Sequence, residues 1–251
     1  MSTAAPVLQA TSLSKSFGDF TAVSDVSFAV HASESLAIIG PNGAGKSTLF
    51  DLLTGRKRPD TGDVRLFGET VTRQPPWHRV RRGLGRSFQV SSVFPSYTVQ
   101  QNVQLGLMMA RGRAWNMWRS AAATMQSEAA ELLERVGLAA KRGMLAGTLG
   151  HGDQRSLELA VALSTSPKIL LLDEPTAGMG RAESAECLAH IRTIAQRERI
   201  PIVFVEHDTH IVFSFATRVI VLVNGKLLMD GTPEQVRRDE RVKEAYFGEE
   251  L

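Results

Sequence analysis

Residues 40–48, GPNGAGKST, form the part of the chain best suited to chemistry, because they fit the phosphate-binding pattern GxxxxGK[ST]. A short apolar run precedes this phosphate loop and an apolar-periodic helix follows, which is the context that the pattern requires. Glycines let consecutive backbone N–H groups converge on phosphate oxygens, and the helix start adds its positive dipole end. We expect Lys46 to reach the β- and γ-phosphates of a nucleotide, and the Ser47 hydroxyl to bind Mg²⁺. A glycine-rich turn without a ligand is the alternative. The predicted nucleotide-binding residues of the loop are Gly40, Pro41, Asn42, Gly43, Ala44, Gly45, Lys46, Ser47 and Thr48.

Two adjacent carboxylates, Asp173 and Glu174, end a second apolar run at residues 169–172. In an α/β sheet the carboxyl ends of the strands face the ligand crevice. Asp173 suits Mg²⁺, directly or through water, and Glu174 suits a general base or a water-orienting group. Taken alone, a solvated acidic turn is an equally good interpretation. The phosphate loop elsewhere in the chain favours the catalytic one.

A second glycine-rich turn, LGHG at residues 149–152, precedes a helical run. A helix that begins at such a turn can bind an anion, so Gly150 and Gly152 are candidate phosphate-binding residues. The nucleotide that they contact need not be the one in the phosphate loop. A simple linker turn is the alternative.

The elements that position these residues are strands alternating with helices. Residues 7–30 alternate apolar and polar positions around a turn at residues 17–19, which predicts antiparallel strands. Residues 98–137 change to three- and four-residue spacing, which predicts a mainly helical insert. Asn224-Gly225 predicts a hairpin between two late strands. The pattern as a whole indicates a mostly parallel α/β core.

Composition restricts the function classes. The chain has 251 residues, 43% hydrophobic and 22% charged, with a net charge of +3. The chain has no concentrated Lys/Arg run, so we expect no nucleic-acid partner. The single cysteine, Cys187, excludes an intrachain disulfide and suits a reducing compartment. The longest apolar runs are too short to span a bilayer, so any work at a membrane requires a partner. We expect Arg79, Arg81, Arg82 and Arg86 to lie on a solvated strand edge, although phosphate contacts are an alternative.

The order of these features resembles the ABC transporter ATPases over essentially the whole chain. The phosphate loop is followed by SFQ at residues 87–89, the helical insert, the LGHG turn, the LLLDE strand and VEHD at residues 205–208. The stretches GHGDQRSLELA, DEPTAGM, VEHD and GTPEQVRRDERVKEAYFGEE resemble the ATP-binding subunits of branched-chain amino-acid importers. The C-terminal stretch also resembles the ATPase of lipopolysaccharide export.

The resemblance implies a P-loop NTPase (RecA-like) core with an antiparallel β subdomain and an inserted α-helical subdomain. The implied domain consists of residues 1–89 and 152–251 as ATP-binding core, with residues 90–151 as helical subdomain ending in the signature turn. It also implies roles for three further residues. Phe17 would stack on adenine, unless it is a core residue at a strand end. Gln89 would sense Mg²⁺ and water, and His207 would contact the γ-phosphate and orient the attacking water.

Two positions depart from the family pattern. Gly150 stands where the signature normally has Ser, and Gly180 stands where the loop after Glu174 usually has Asp. In the family, the serine and the aspartate at these positions would act on a nucleotide held by a partner subunit. We therefore expect a heterodimer with a second, different ATPase subunit, with a homodimer of two weakened sites as the alternative.

The resulting expectation is an ATP-hydrolysing subunit, bound peripherally to the cytoplasmic face of the inner or plasma membrane, that uses ATP and Mg²⁺. Its expected partners are integral membrane permease subunits, which would contact residues 89–97, and a periplasmic solute-binding protein. The expected cargo is a branched-chain amino acid or a related small polar solute. The alternatives are an ATPase of a lipopolysaccharide-export-type system, a soluble ABC ATPase outside transport, and a regulatory nucleotide-binding module with little turnover.

Overall fold

The computed structural model describes residues 5–86, 93–111 and 119–247. Within them the strands are β1 (Leu8–Phe17), β2 (Phe20–Val30), β3 (Ser35–Ile39), β4 (Thr61–Leu66), β5 (Glu69–Thr70), β6 (Leu84–Arg86), β7 (Ile169–Asp173), β8 (Ile202–Val205), β9 (Arg218–Val223) and β10 (Lys226–Gly231). The α-helices are α1 (Lys46–Thr54), α2 (Pro76–Arg81), α3 (Val99–Ala110), α4 (Arg119–Arg135), α5 (His151–Leu163), α6 (Arg181–Glu198), α7 (Thr209–Phe215), α8 (Pro233–Arg238) and α9 (Glu240–Val242).

Two sheets organise the molecule. An antiparallel sheet has the order β2-β1-β4-β5, and it includes the predicted hairpin of the first thirty residues. A larger sheet has the order β10-β9-β3-β8-β7-β6. In the larger sheet β10 pairs antiparallel with β9 across the predicted Asn224-Gly225 turn, and the remaining pairs are parallel.

The strand order brings three sequence motifs to one edge of the larger sheet. The phosphate loop follows β3, the acidic pair ends β7, and His207 follows β8, which lies between them. Because β3, β8 and β7 run parallel, their carboxyl ends meet at the same edge. Segments far apart in the chain are thereby placed side by side.

Alternating side chains cover both faces of the larger sheet. On β3, Leu36 and Ile38 belong to a core cluster shared with α1 and the antiparallel sheet. Ala37 and Ile39 belong to a second cluster that includes α3–α6. Burial on both faces explains why these strands read as continuous apolar runs. The buried strands thus anchor the loops that follow their carboxyl ends.

Helices α3, α4 and α5 pack against one another as a helical part of the molecule. Thr98 begins α3 with a capping box, in which its hydroxyl accepts from the Gln101 N–H and the Gln101 side chain accepts from the Thr98 N–H. The predicted change to helical spacing at this residue is therefore observed. The expected domain boundaries stay a prediction. None of the helices in the described residues combines the length and apolar character that a bilayer crossing requires.

The expectation of a solvated strand edge is wrong for Arg79, Arg81 and Arg82, because the first two lie in helix α2 and the third caps its end. Residues 76–81 form helix α2, with Pro76 in its first turn, and Arg79 is fully buried. Proline suits a helix start because its fixed φ is helical and its missing N–H is not needed there. The segment has many charged residues and no apolar periodicity, so its sequence pattern did not predict a helix with one buried arginine.

Candidate nucleotide site

The phosphate loop is held tightly at two of its glycines. Gly45 precedes α1 with φ of 98°, and a Cβ atom there would lie 2.1 Å from the carbonyl oxygen of Ala22. A Cβ atom on Gly40 would lie 2.1 Å from the carbonyl oxygen of Leu222. The backbone of β2 and β9 therefore presses on the loop from two sides. Glycine is required at both positions by these close approaches.

Lys46 is the first residue of α1 and its side chain is 6% exposed. Its ammonium group donates to the carbonyl oxygens of Gly40, at 2.5 Å, and of Pro41, at 2.9 Å. Burial lowers the pKa of Lys46, and the negative charge of Glu174 acts in the opposite direction. Lys46 therefore lies within the field of the predicted catalytic carboxylate.

Glu174 and His207 face each other across neighbouring strands. The Oε1 atom of Glu174 lies 3.0 Å from the Nε2 atom of His207, and the Glu174 N–H donates to the carbonyl oxygen of Val205. Glu174 has φ of 49°, a left-handed conformation that is uncommon outside glycine. Asp173, one residue earlier, is buried at the end of β7. The structure thus brings together the phosphate loop, both carboxylates and His207.

Phe17 lies on the antiparallel sheet beside the end of α1, and it is 44% exposed. The ammonium groups of Lys15 and Lys57 lie 5.6 and 5.4 Å from its ring centroid. The exposure rules out the interpretation of Phe17 as a core residue. It leaves an accessible aromatic ring on the surface. Gln89, the other residue predicted from the resemblance, lies outside the described residues.

The signature turn lies close to the first turn of α6. Gly150 caps the start of α5, and Gly180 caps the start of α6. A Cβ atom on Gly152 would lie 2.6 Å from the Glu183 carboxylate of α6, whereas Gly150 and Gly180 have open space around them. The side chain of Lys141 forms an ion pair with Asp153 in the first turn of α5. The two glycines that depart from the family pattern therefore sit at helix starts where a larger side chain would fit.

Two buried charged side chains, Arg79 and Glu206, have roles that the sequence reasoning missed. Arg79 donates to the carbonyl oxygens of Leu52 and Leu53 at the carboxyl end of α1. Burial lowers the pKa of Arg79 to about 10, so it stays charged near neutral pH. Glu206, next to His207, is a buried carboxylate bonded to Thr176. No spacing rule relates residues so far apart, although an acidic residue after an apolar strand is itself a signal.

This arrangement suits phosphoryl transfer. A loop of backbone N–H groups, a helix start and a buried ammonium group can hold a polyphosphate, while a carboxylate and an imidazole at the same edge can orient a water molecule. The fold and the site together define a nucleotide-hydrolysing domain of the P-loop class.

Comparison with known families specifies the class. The family model described as "ABC transporter" matches residues 23–177, and the model described as "Branched-chain amino acid ATP-binding cassette transporter" matches residues 226–251. The chain belongs to the ABC transporter ATP-binding family. It is accordingly an ATPase subunit that binds nucleotide.

Relatives match the chain along its whole length. The high-affinity branched-chain amino acid transport ATP-binding protein BraF of Pseudomonas aeruginosa is 36% identical, over 97% of this chain and 98% of BraF. LivG of Escherichia coli K12, with the same description, is also 36% identical, over 97% of this chain and 98% of LivG. The lipopolysaccharide export system ATP-binding protein LptB of Haemophilus influenzae is 33% identical, over 98% of each chain.

A solved structure confirms the fold class. The ADP conformation of MJ1267, an ATP-binding cassette of an ABC transporter, superposes with a TM-score of 0.87 at 28% identity. The match covers 98% of this chain and 100% of the other. The predicted P-loop core with its antiparallel and helical parts is therefore confirmed.

Proposed function

We propose that this ATPase powers the uptake of branched-chain amino acids or a closely related small polar solute. The observation that carries the proposal is the full-length match to BraF and LivG, supported by the C-terminal family model. Lipopolysaccharide export is the second candidate, because LptB also matches along the whole chain at somewhat lower identity. The proposed location is the cytoplasmic face of the membrane, with a periplasmic solute-binding protein in the complete system.

In the proposed mechanism the phosphate loop holds the triphosphate of ATP. Lys46 exchanges the carbonyl oxygens of Gly40 and Pro41 for β- and γ-phosphate oxygens. The Ser47 hydroxyl and the buried Asp173 carboxylate are the kind of oxygen donors that Mg²⁺ prefers, so they fit this ion. Bound Mg²⁺ would neutralise charge on the phosphate oxygens. Phe17 offers a flat ring to the adenine.

Glu174 is the proposed general base. Its carboxylate orients the attacking water and accepts its proton, while His207, 3.0 Å away, contacts the γ-phosphate and holds the water in line. Gln89 is proposed to sense the metal and the water. Most of the rate enhancement in such sites comes from positioning and electrostatics rather than covalent chemistry.

The test of these roles is Glu174→Gln, which keeps the shape of the side chain but removes the base. We expect unchanged ATP affinity, a hydrolysis rate lowered by about 100-fold or more, and an accumulated ATP-bound dimer. Glu186→Gln, on the exposed side of α6, is the matched control and should hydrolyse ATP normally. Wild-type turnover in the Glu174 variant would show that another group activates the water.

The transported solute can be tested separately in vesicles that contain the assembled transporter. Leucine with the solute-binding protein should stimulate ATP hydrolysis, and labelled leucine should accumulate inside. Lipopolysaccharide should do neither. Stimulation by lipopolysaccharide alone would assign the chain to the export system instead.

An exposed apolar surface near the helical part is the proposed contact with the permease. Phe94 and Tyr97 are 53% and 44% exposed, with ring centroids 5.5 Å apart, and Met144 and Leu145 are exposed beside them. Buried Asn102 fixes this surface, because its amide bonds both backbone groups of Phe94 and the carbonyl oxygen of Thr98. Contiguous exposed apolar groups of this kind mark interaction sites.

Crosslinking tests this contact. Cysteine at position 94 or 97 should crosslink to a permease subunit, whereas cysteine at exposed Trp77 on α2 should not. Crosslinks confined to residues 226–247 would place the contact elsewhere.

The second ATPase subunit is proposed to be a different chain. Gly150 and Gly180 lack the groups that would act on a partner's nucleotide, and Asp153 adds negative charge to the start of α5, partly neutralised by Lys141. A hydrogen bond to a charged group contributes about 1.5–3 kcal/mol, so the lost serine hydroxyl weakens the site that receives this signature. The site built on this chain's own phosphate loop would then be the faster one.

Site-resolved hydrolysis tests the asymmetry. Glu174→Gln should remove most turnover of the complex, while the equivalent change in the partner should remove little. Gly150→Ser should raise the slower site's turnover, because the position has open space and an ordinary φ of −66°. Equal losses from the two glutamate changes, or a complex with two copies of this chain alone, would contradict the proposal.

A further inference from the structure

Glu206 is a buried carboxylate that the proposed mechanism does not use. It follows β8 directly, precedes His207 and is 4% exposed. Charged side chains are almost never this buried unless they are bonded. Its two carboxylate oxygens accept three hydrogen bonds, and the positions of the donors indicate the role of the side chain.

The donors belong to two segments that meet at the catalytic edge. The Oε1 atom accepts from the Thr176 hydroxyl at 2.6 Å and from the Thr176 N–H at 3.0 Å. The Oε2 atom accepts from the His207 N–H at 3.3 Å. One carboxylate therefore joins the segment after β7 to the segment after β8.

This link runs beside the bond between Glu174 and His207. Thr176 lies two residues after Glu174, and Glu206 lies one residue before His207, so the two cross-strand bonds are adjacent. Glu174 also donates its N–H to the carbonyl oxygen of Val205. The catalytic pair is thus bracketed by a backbone bond on one side and by the Glu206 link on the other.

The link also fixes the loop that leads from β7 to α6. The carbonyl oxygen of Thr176 accepts from the Met179 N–H, and the Met179 position leads to Gly180 at the start of α6. A buried Thr176 held by two bonds to Glu206 anchors this turn. Displacement of Thr176 would move the loop and Glu174 together.

The geometry points to Glu206 as a positioning residue that holds Glu174 and His207 at their working separation and ties both to the loop at residues 174–180. This inference rests on the catalytic roles proposed for Glu174 and His207. Glu206 acts through these residues and through Thr176. Its contribution is to the orientation of groups in the transition state, where a displacement of about 1 Å costs about 100-fold in rate.

The test measures ATP hydrolysis by the assembled transporter with variants at both ends of the link. Glu206→Ala should lower kcat by about 10- to 100-fold and leave the KM for ATP within about twofold. Glu206→Gln keeps an oxygen for the two Thr176 donors and should restore kcat to within about threefold of the wild type. Thr176→Val removes the hydroxyl at nearly constant volume and should lower kcat, whereas Thr176→Ser should not.

Coupling separates this role from general destabilisation. The Thr176→Val, Glu206→Ala double variant should be no slower than Glu206→Ala alone, because both changes break the same link. Glu34→Ala is the matched control, since Glu34 also accepts a backbone N–H, from His31, but lies at the opposite edge of the sheet. It should lower stability and leave kcat unchanged.

Several results would overturn the inference. They are a Glu206→Ala variant with kcat within about twofold of the wild type, additive losses in the double variant, or an equal kcat loss in Glu34→Ala. If Glu206→Ala does not fold, Thr176→Val and Glu206→Gln decide the question between them. Glu174→Gln in the same assay distinguishes failure of the proposed catalytic roles from failure of the positioning role. Full activity there refutes the proposed catalytic roles, whereas loss there with normal Glu206 variants refutes the positioning role alone.

Discussion

Replacement of Arg79 by methionine should destabilise the folded chain strongly, because this arginine donates hydrogen bonds to carbonyl groups at the carboxyl end of α1. Its guanidinium donates to the carbonyl oxygens of Leu52 at 2.8 Å and Leu53 at 2.7 Å, and also to those of Thr72 and Gln74. The last turn of a helix leaves carbonyl groups without partners and carries the negative end of the dipole. A buried cation meets both requirements.

The magnitude follows from the two buried contacts. Each hydrogen bond from a charged donor contributes about 1.5–3 kcal/mol, which gives about 3–6 kcal/mol for Leu52 and Leu53. The methionine variant recovers part of the cost of burying the guanidinium, so we expect a net loss of about 2–4 kcal/mol. With a urea m-value of about 3 kcal/mol/M, the unfolding midpoint should fall by about 1 M.

The assay is urea unfolding followed by circular dichroism, with Arg81→Met as the matched control. Arg81 lies on the same helix but is exposed and stacks on Trp77 with a guanidinium-to-centroid distance of 5.2 Å. Its loss should cost about 0.5–1 kcal/mol. An Arg79 variant within about 0.5 kcal/mol of the wild type, or no less stable than the Arg81 variant, would refute the reasoning.

Two further predictions concern the phosphate loop and the single cysteine. Gly45→Ala should lower the melting temperature much more than Gly43→Ala, because a Cβ atom at position 45 meets the Ala22 carbonyl at 2.1 Å whereas position 43 has open space; equal shifts in calorimetry would contradict the close approach. Burial raises the pKa of Cys187 to about 11, so at pH 8 its thiolate fraction, and its labelling rate with a thiol reagent, should be about 100-fold below those of the unfolded chain, rising as the pH approaches 11. A native labelling rate within about tenfold of the unfolded rate would show that the thiol is not protected.

Much of the site could be read from the sequence because its parts are local. The phosphate loop needs glycines, a lysine and a hydroxyl at fixed spacing, and an apolar run before Asp173 predicts a strand end that faces a ligand. The hairpin at Asn224-Gly225 is likewise set by two residues with positive φ. The resemblance to ABC ATPases added the family, which the comparisons confirm.

Exposure of Phe17 could not be read from its alternating pattern. Polar and apolar residues alternate along β1, and this pattern places Phe17 on one face of the sheet. Whether Phe17 is covered depends on what packs over the end of the strand. In the structure its ring is exposed and lies beside the ammonium groups of Lys15 and Lys57. Its proposed contact with adenine therefore has an accessible surface.

By itself the sequence determined the phosphate loop, the acidic strand end and the alternation of strands and helices, since each depends on residues within a few positions of one another. Tertiary structure alone decided which distant groups meet. Arg79 reaches Leu52 across 27 residues, and Glu206 reaches Thr176 across 30. These contacts depend on the order of the parallel strands and on the packing of α2 against α1. The residues next to a buried charge in the sequence do not predict which distant residue it will bond.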